Sequence, residues 1–343
     1  MHESLYELGD DLKRDVALSK YTTIGVGGSA QFLLEAKDKQ MFVKAIKLAI
    51  KKNIPHYVLG NGSNTLISDK GFLGLVIINL TSGIRIVEKP TVQFYPQITE
   101  HRLNQPGAAE FYSFQDLEYE EKDAQDVFVE IDSGTKLQAA IYKLISQGIT
   151  GLQWFGGIPA SIGGAVFMNA HGGTRFFGDL LVNATLIDKN GEEKIVNHDY
   201  FKFAYDYSIL HDTRETIVSV VLALKRGDTQ RAQKTAQEWA KRKSIQPQKS
   251  LGSTFQNLAP QLRDELKFPT TSAGFVIDKI LGLRGTLRVG DAIVSPKTAN
   301  FIENLGDANA SDVKQIIDTI KKTASEKIGI NLIEEIQYLG NFD

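Results

Sequence analysis

The residues of this chain best suited to chemistry are glycines that free backbone N–H groups, rather than a set of acids, thiols or imidazoles. Gly60-Asn61-Gly62-Ser63-Asn64 puts several N–H donors and small hydroxyl or amide side chains within one short segment. Such a nest suits a pyrophosphate, and the same residues suit a plain hairpin turn. A second stretch, GLQWFGGIPASIGGAVFMNA at 151–170, interrupts an apolar run with glycines and Pro159. Each interior Gly costs about 1 kcal/mol in a helix and Pro about 3, so irregular backbone is expected here. Gly156-Gly157 and Gly163-Gly164, flanking Ile158-Pro159, are expected to turn N–H groups toward a large cofactor; a tightly packed core turn is the other reading.

Composition removes several other chemistries. The 343 residues contain no cysteine, which excludes disulfides, thiolate metal sites and a Cys nucleophile. The six histidines are scattered with no H-E-x-x-H pair, so no catalytic metal is expected. A formal net charge of −2 provides no basic field for nucleic acid or an anionic membrane. The N-terminus lacks the basic and apolar regions of a signal peptide, and no apolar run is long enough to span a bilayer. A cytoplasmic location is therefore expected, and nothing demands an oligomer, so a monomer is compatible.

The glycine segments need elements to hold them. Gly25, Gly27 and Ala30 satisfy a loose G-x-G-x-x-A pattern, but a strand, Gln31–Ala36, follows where a dinucleotide fold needs a helix. Residues 38–53 read as an amphipathic helix and 56–80 as strand, turn, strand, turn, strand. Further strands are expected at RIVEK and TVQFY within 82–127, before a charged insertion that reads as solvated surface. Strand VFVEIDSG then leads into a helix at 135–147 closed by Gly148. Asn190-Gly191 marks a hairpin, and TIVSVVLALKRG a strand. At 226–230 the character changes to helix, the clearest domain break. A helix over SAGFVIDKILG, a helix at 311–327 with Ser311 as N-cap and Gly329 beyond its end, and a last strand NLIEEIQYLG complete the chain.

Taken together, YTTIGVGG, VLGNGSNTLISD, GGIPASIGGAVFMNA, Y-x-x-S at 205–208, Q-P-x-x-S-x-GSTFQN, ANFIEN and a terminal L-x-x-E-I-x-x-L-G resemble, in this order, the UDP-N-acetylenolpyruvoylglucosamine reductase (MurB) family. The resemblance covers nearly the whole chain and implies an α+β fold. A two-subdomain FAD-binding region of the vanillyl-alcohol-oxidase (PCMH) type would occupy 1–80 and 81–227. A C-terminal α/β substrate-binding domain would occupy 228–343, with its final strand free to return to the first subdomain. The implied reaction is NADPH-dependent, FAD-mediated reduction of UDP-N-acetyl-3-O-(1-carboxyvinyl)-glucosamine to UDP-N-acetylmuramate in peptidoglycan precursor synthesis.

By the same resemblance, Ser253 is the proton donor and Glu335 the acid that polarises the substrate's carboxyl end. Tyr205 and Asn257 contact substrate. Gly60, Asn61, Gly62, Ser63, Asn64, Gly157, Ile158, Pro159, Ile162, Gly163, Gly164 and Asn169 hold FAD. Read without the family, Ser253 is a turn or N-cap serine and Glu335 a solvent-facing residue of an edge strand. Two departures stand out: Asp206 replaces the arginine of the family's Y-R-x-S, and Ile245 replaces the lysine of its R-x-x-K-Q-P. Lys243, Arg175 and Arg288 are the candidates to supply the missing positive charge. The departures leave open a flavin oxidoreductase acting on another sugar or hydroxy acid, or a catalytically idle flavoprotein used as a binding module.

Overall fold

The computed structural model describes residues 3–91, 117, 119–121, 124–173 and 175–342. Strands β1 (Leu12–Ala17), β2 (Ser29–Ala36), β3 (His56–Leu59) and β5 (Phe72–Asn79) form one sheet in the order β1-β2-β5-β3, while β4 (Thr65–Ile67) lies outside it. The two central strands, β2 and β5, run parallel and bury both faces, which accounts for the apolar runs FLL in β2 and LVII in β5. Helix α1 (Lys39–Lys51) begins where the Asp38 side chain accepts a hydrogen bond from Met41 N, and its Phe42, Ala45, Ile46 and Ala49 cover one face against Phe32, Leu34, Leu75 and Ile77.

Gly60–Asn64 is not a hairpin turn. β3 pairs with β5 inside the first sheet, whereas β4 pairs in parallel with the C-terminal strand β16 (Gln337–Leu339). The flanking strands enter different sheets, so the loop bridges two parts of the fold.

The second sheet is antiparallel, in the order β11-β10-β12-β7-β6, from β6 (Ile84–Val87), β7 (Asp126–Asp132), β10 (Leu181–Ile187), β11 (Glu193–Asn197) and β12 (Thr216–Lys225). The expected RIVEK strand is β6; the expected TVQFY strand, beyond Thr91, and part of the charged insertion lie outside the described residues. β10 and β11 form the expected hairpin, with Gly191 at φ +84°, and the short strands β8 (His171–Gly172) and β9 (Arg175–Phe176) pair with each other ahead of it. Helices α2 (Leu137–Ser146), α3 (Ile162–Phe167) and α4 (Thr229–Lys243) bury their apolar residues against this sheet. The change of character near 228 placed α4 with the C-terminal part, but its Ala232 and Ala236 lie in the same core as Trp154 and Phe155. A helix follows the apolar surface available to it, and composition along the chain does not show where that surface is.

A third core is built by β13 (Arg288–Val289), β14 (Ala292–Val294), β15 (Ile302–Asn304) and the long helix α5 (Ala310–Ile328), with Ile24, Val26 and Leu66 from the N-terminal part inserted. Asn309, not Ser311, caps α5: its side chain accepts from Asp312 N. Ser311 is instead held by Asp69, which accepts from its backbone N–H and its hydroxyl. The SAGFVIDKILG helix is a short turn, Ala273–Phe275, continuing into a π-helical turn over Val276–Ile280. Of NLIEEIQYLG, only 337–339 forms a regular strand, with a single bridge from Glu334 to Phe255 before it. Among the described residues no helix is long and apolar enough to cross a membrane.

Candidate active site

The two glycine segments meet, but they do different work. In the first, the backbone N–H groups of Asn61, Gly62, Ser63 and Asn64 have no protein acceptor among the described residues, which leaves them free for an anionic ligand. Gly62 sits at φ +60°, and a Cβ there would lie 2.0 Å from Tyr21 O. Thr23 N donates to Gly62 O at 3.1 Å and clamps the loop from below. Asn61 Nδ2 donates to Pro159 O at 2.8 Å, tying it to the second segment.

In that second segment the expectation of exposed N–H groups fails. Gly163 N donates to Ser133 O, Gly164 N to Ser161 Oγ, and Gly157 N to Gln138 Oε1. Gly163 and Gly164 in fact open the short helix α3, started by the Ser161 side chain. Glycine is required there for close approach. A Cβ on Gly156 would lie 2.3 Å from Ala236 O, and one on Gly157 2.8 Å from Ala240 Cα, so these residues let α4 pack directly on the loop. The segment therefore meets the cradle as a wall.

Asn169, at φ +47°, uses its whole amide on the protein: Oδ1 accepts from Gly178 N and Nδ2 donates to Ala204 O, both at 2.9 Å. This fixes the turn 204–207, in which Ala204 and Tyr207 bridge, and the turn presents Tyr205 and Asp206. Tyr205 stacks on His171 with ring centroids 5.4 Å apart, and its hydroxyl accepts from Asn257 Nδ2 at 3.1 Å. Asn257 Oδ1 accepts from Ala273 N.

The C-terminal segment closes the recess. Glu335 N donates to Thr254 O at 2.9 Å and Gln256 N to Ile333 O at 2.9 Å, so Ser253 and Glu335 lie on adjacent backbone segments. Asn64, at the end of the cradle, donates through Nδ2 to Glu335 O at 3.1 Å and accepts from Gln337 N at 2.8 Å. Ser253 is half-buried, and its hydroxyl has no protein partner among the described residues. Residues distant in sequence, at 61–64, 205–206, 253–257 and 335, thus surround one recess.

Its electrostatics are tightly linked. Burial raises the Glu335 carboxyl well above its ordinary range, the neighbouring Asp206 charge raises it further, and Lys243 opposes both. Burial lowers the Lys243 ammonium, with Glu335 opposing. Burial also pushes the Asp206 carboxyl up to about 7. The His171 imidazole is held down to about 4 by burial and then by Lys243. Of the three cations considered in place of the missing arginine and lysine, Lys243 is the one near Glu335. Arg175 lies over the Trp154 ring, 4.6 Å from its centroid, and Arg288 bonds Gly290 O and Asp291 on the third sheet. Ile245 is 63% exposed. His171 was not singled out from the sequence; its place two residues after Asn169 carries no chemical signal until folding brings it onto Tyr205.

Comparison with known proteins fits this geometry. A model of the FAD binding domain matches residues 112–197, and a model of the UDP-N-acetylenolpyruvoylglucosamine reductase C-terminal domain matches 246–339. Fold and sequence together define a flavin-binding oxidoreductase with a separate C-terminal unit. The curated reductases of that name from Agathobacter rectalis and Lactobacillus delbrueckii subsp. bulgaricus are each 32% identical, over 99% and 98% of this chain and 97% and 99% of theirs. The crystal structure of the Thermus caldophilus enzyme (MurB) superposes with a TM-score of 0.69 at 28% identity, covering 96% of this chain and 99% of that one. The chain belongs to the UDP-N-acetylenolpyruvoylglucosamine reductase family.

Proposed function

We propose that this protein is a cytoplasmic reductase that uses NADPH and FAD to convert UDP-N-acetyl-3-O-(1-carboxyvinyl)-glucosamine to UDP-N-acetylmuramate for peptidoglycan synthesis. Residues 1–80 and 81–227 hold the flavin and 228–343 the sugar nucleotide, although α4 packs on the second sheet and β16 returns to pair with β4. The observation that carries the reading is the convergence of Ser253, Asn257, Glu335, Tyr205 and Lys243 beside a cradle of free N–H groups.

The residues fit FAD. The N–H groups of 61–64 would hold its pyrophosphate, and Gly157, Ile158, Pro159, Ile162, Gly163 and Gly164 would line it by shape, with Asn169 supporting the turn behind them. When bound, FAD would supply the hydride chemistry, with NADPH as the source and the terminal carbon of the enolpyruvyl group as the acceptor. Hydride addition leaves negative charge beside the substrate carboxylate, and Lys243 is the cation placed to hold that anionic end. Tyr205 and Asn257, bonded to one another, shape the opposite wall. The unengaged Ser253 hydroxyl donates its proton to the neighbouring carbon, and Glu335 polarises the substrate's carboxyl end.

The test separates the half-reactions. In Ser253→Ala, NADPH should bleach the flavin at the parental rate, while anaerobic reoxidation by the enolpyruvyl sugar nucleotide should slow by about 10²–10⁴-fold. Reoxidation at the parental rate would remove Ser253 from the chemistry. Asp206 favours one alternative, an oxidoreductase of this fold acting on a different sugar or hydroxy acid. Reoxidation of the reduced enzyme by oxygen alone, with no response to the sugar nucleotide, would select it.

A further inference from the structure

Asp206 is the more deeply buried of the two carboxyls in the recess. Its side chain is 3% exposed, and its Oδ2 is buried without a hydrogen-bond partner. Oδ1 lies 3.8 Å from His171 Nε2, beyond hydrogen-bonding reach, and that imidazole is neutral at physiological pH. The carboxyl cannot readily swing outward. Its residue sits at φ +50° in a turn secured by Asn169 to Ala204 O and by Ser208 Oγ to Phe167 O.

The groups facing Asp206 come from three elements. They are Tyr205 on its own turn, His171 on β8 (His171–Gly172), and Glu335 ahead of β16; Lys243, from the end of α4, acts on Glu335 and His171. The cluster therefore gathers two carboxyls around one lysine, which acts on Glu335, while Asp206 has burial alone acting on it. An arriving substrate carboxylate makes a third anion. An unpaired buried carboxylate is costly, and like charges in a dry recess add to that cost. Glu335 is only half-buried and has Lys243 to oppose its burial, whereas Asp206 is nearly fully buried with an oxygen that no group meets.

We propose that Asp206 is a positioning residue that must carry a proton for the recess to accept an anionic substrate group, so that substrate binding above neutral pH draws a proton onto the protein. The proposal rests on the reading of the substrate as a carboxylate-bearing sugar nucleotide. Asp206 acts through the field at Glu335 and Lys243, not by touching substrate. A neutral Asp206 leaves Lys243 able to serve Glu335 and the ligand together; an ionised one makes the site too negative.

Calorimetry of the oxidised holoenzyme with the enolpyruvyl sugar nucleotide, in buffers of different ionisation enthalpy, counts the protons exchanged. At about pH 8 the parent should take up roughly half to one proton, and Asp206→Asn should take up close to none while binding at least as tightly. No uptake in the parent, equal uptake in both, or uptake abolished by Glu335→Gln but retained in Asp206→Asn would each overturn the assignment. If the sugar nucleotide does not bind at all, the proposed substrate is wrong, and the proton can still be read directly. Carbon-13 NMR of aspartate carboxyls in ligand-free holoenzyme should show a resonance that titrates near neutrality and is absent from Asp206→Asn. Aspartate resonances that all titrate below about pH 5 would overturn the proposal.

Discussion

Replacing Asp206 with Asn should change how stability depends on pH, in a direction set by its burial. Asparagine keeps the shape, tolerates the φ of +50°, and cannot ionise. The parental carboxyl is pushed by burial from 3.8 up to about 7. A carboxyl whose folded value is raised contributes its full stability below the unfolded value and loses it as pH climbs through the folded one. The loss therefore accumulates between about pH 4 and pH 7 and is constant above. At about 1.4 kcal/mol per unit the full rise corresponds to about 4 kcal/mol. Glu335 shares the proton, so the part falling between about pH 5 and pH 8 should be on the order of 2–3 kcal/mol. For a chain of 343 residues unfolding cooperatively, that is a Tm difference of about 3–4 °C. Thermal unfolding of both holoproteins at the two pH values measures it: Asp206→Asn should gain on the parent as pH rises. A difference in Tm that stays constant within about 1 °C, or one that shrinks with pH, would refute the claim that Asp206 is costly to ionise in the fold.

Three further outcomes follow from the same geometry. Lys243→Met removes the cation that opposes burial at Glu335, so KM for the sugar nucleotide should rise by about 10- to 100-fold while flavin reduction by NADPH changes far less; equal effects on both half-reactions would show a general structural role. Gly62→Ala meets Tyr21 O at 2.0 Å with φ at +60°, a backbone clash that should cost more than about 3 kcal/mol and strip the flavin. Gly60→Ala meets only Ser161 Oγ, at 2.5 Å, which can rotate away at the cost of the α3 cap, about 1 kcal/mol; unfolding midpoints and bound flavin per protein distinguish the two. Ile245→Lys, at a position 63% exposed, should leave stability within about 0.5 kcal/mol and kcat/KM unchanged. A tenfold gain in turnover would mean that position 245 reaches the substrate after all.

Much of the architecture was legible from local signals. α1 with its Asp38 cap, α2, the β10–β11 hairpin and the long C-terminal helix lie within a few residues of where periodicity and turn chemistry put them. Sequence order also revealed the family, because separated motifs recur in one arrangement. Where the sequence misled, a distant partner decided. Ser311 lost its capping role because Asn309 caps α5 and Asp69 holds Ser311 across more than two hundred residues.

By itself, then, the sequence determined most of the longer helices and strands, the absence of thiol chemistry, and where the irregular glycine segments fall. These depend on neighbours within a turn or two. Only the tertiary structure decided what each glycine is for: free N–H groups at 61–64, and close packing against α4 at 156–157. It alone also decided that Lys243 and not Arg175 or Arg288 lies near Glu335, and that Asp206 lies buried with an unpartnered oxygen. Burial and electrostatic neighbourhood are properties of the assembled chain, and a residue's charge state is set by them rather than by its position in the sequence.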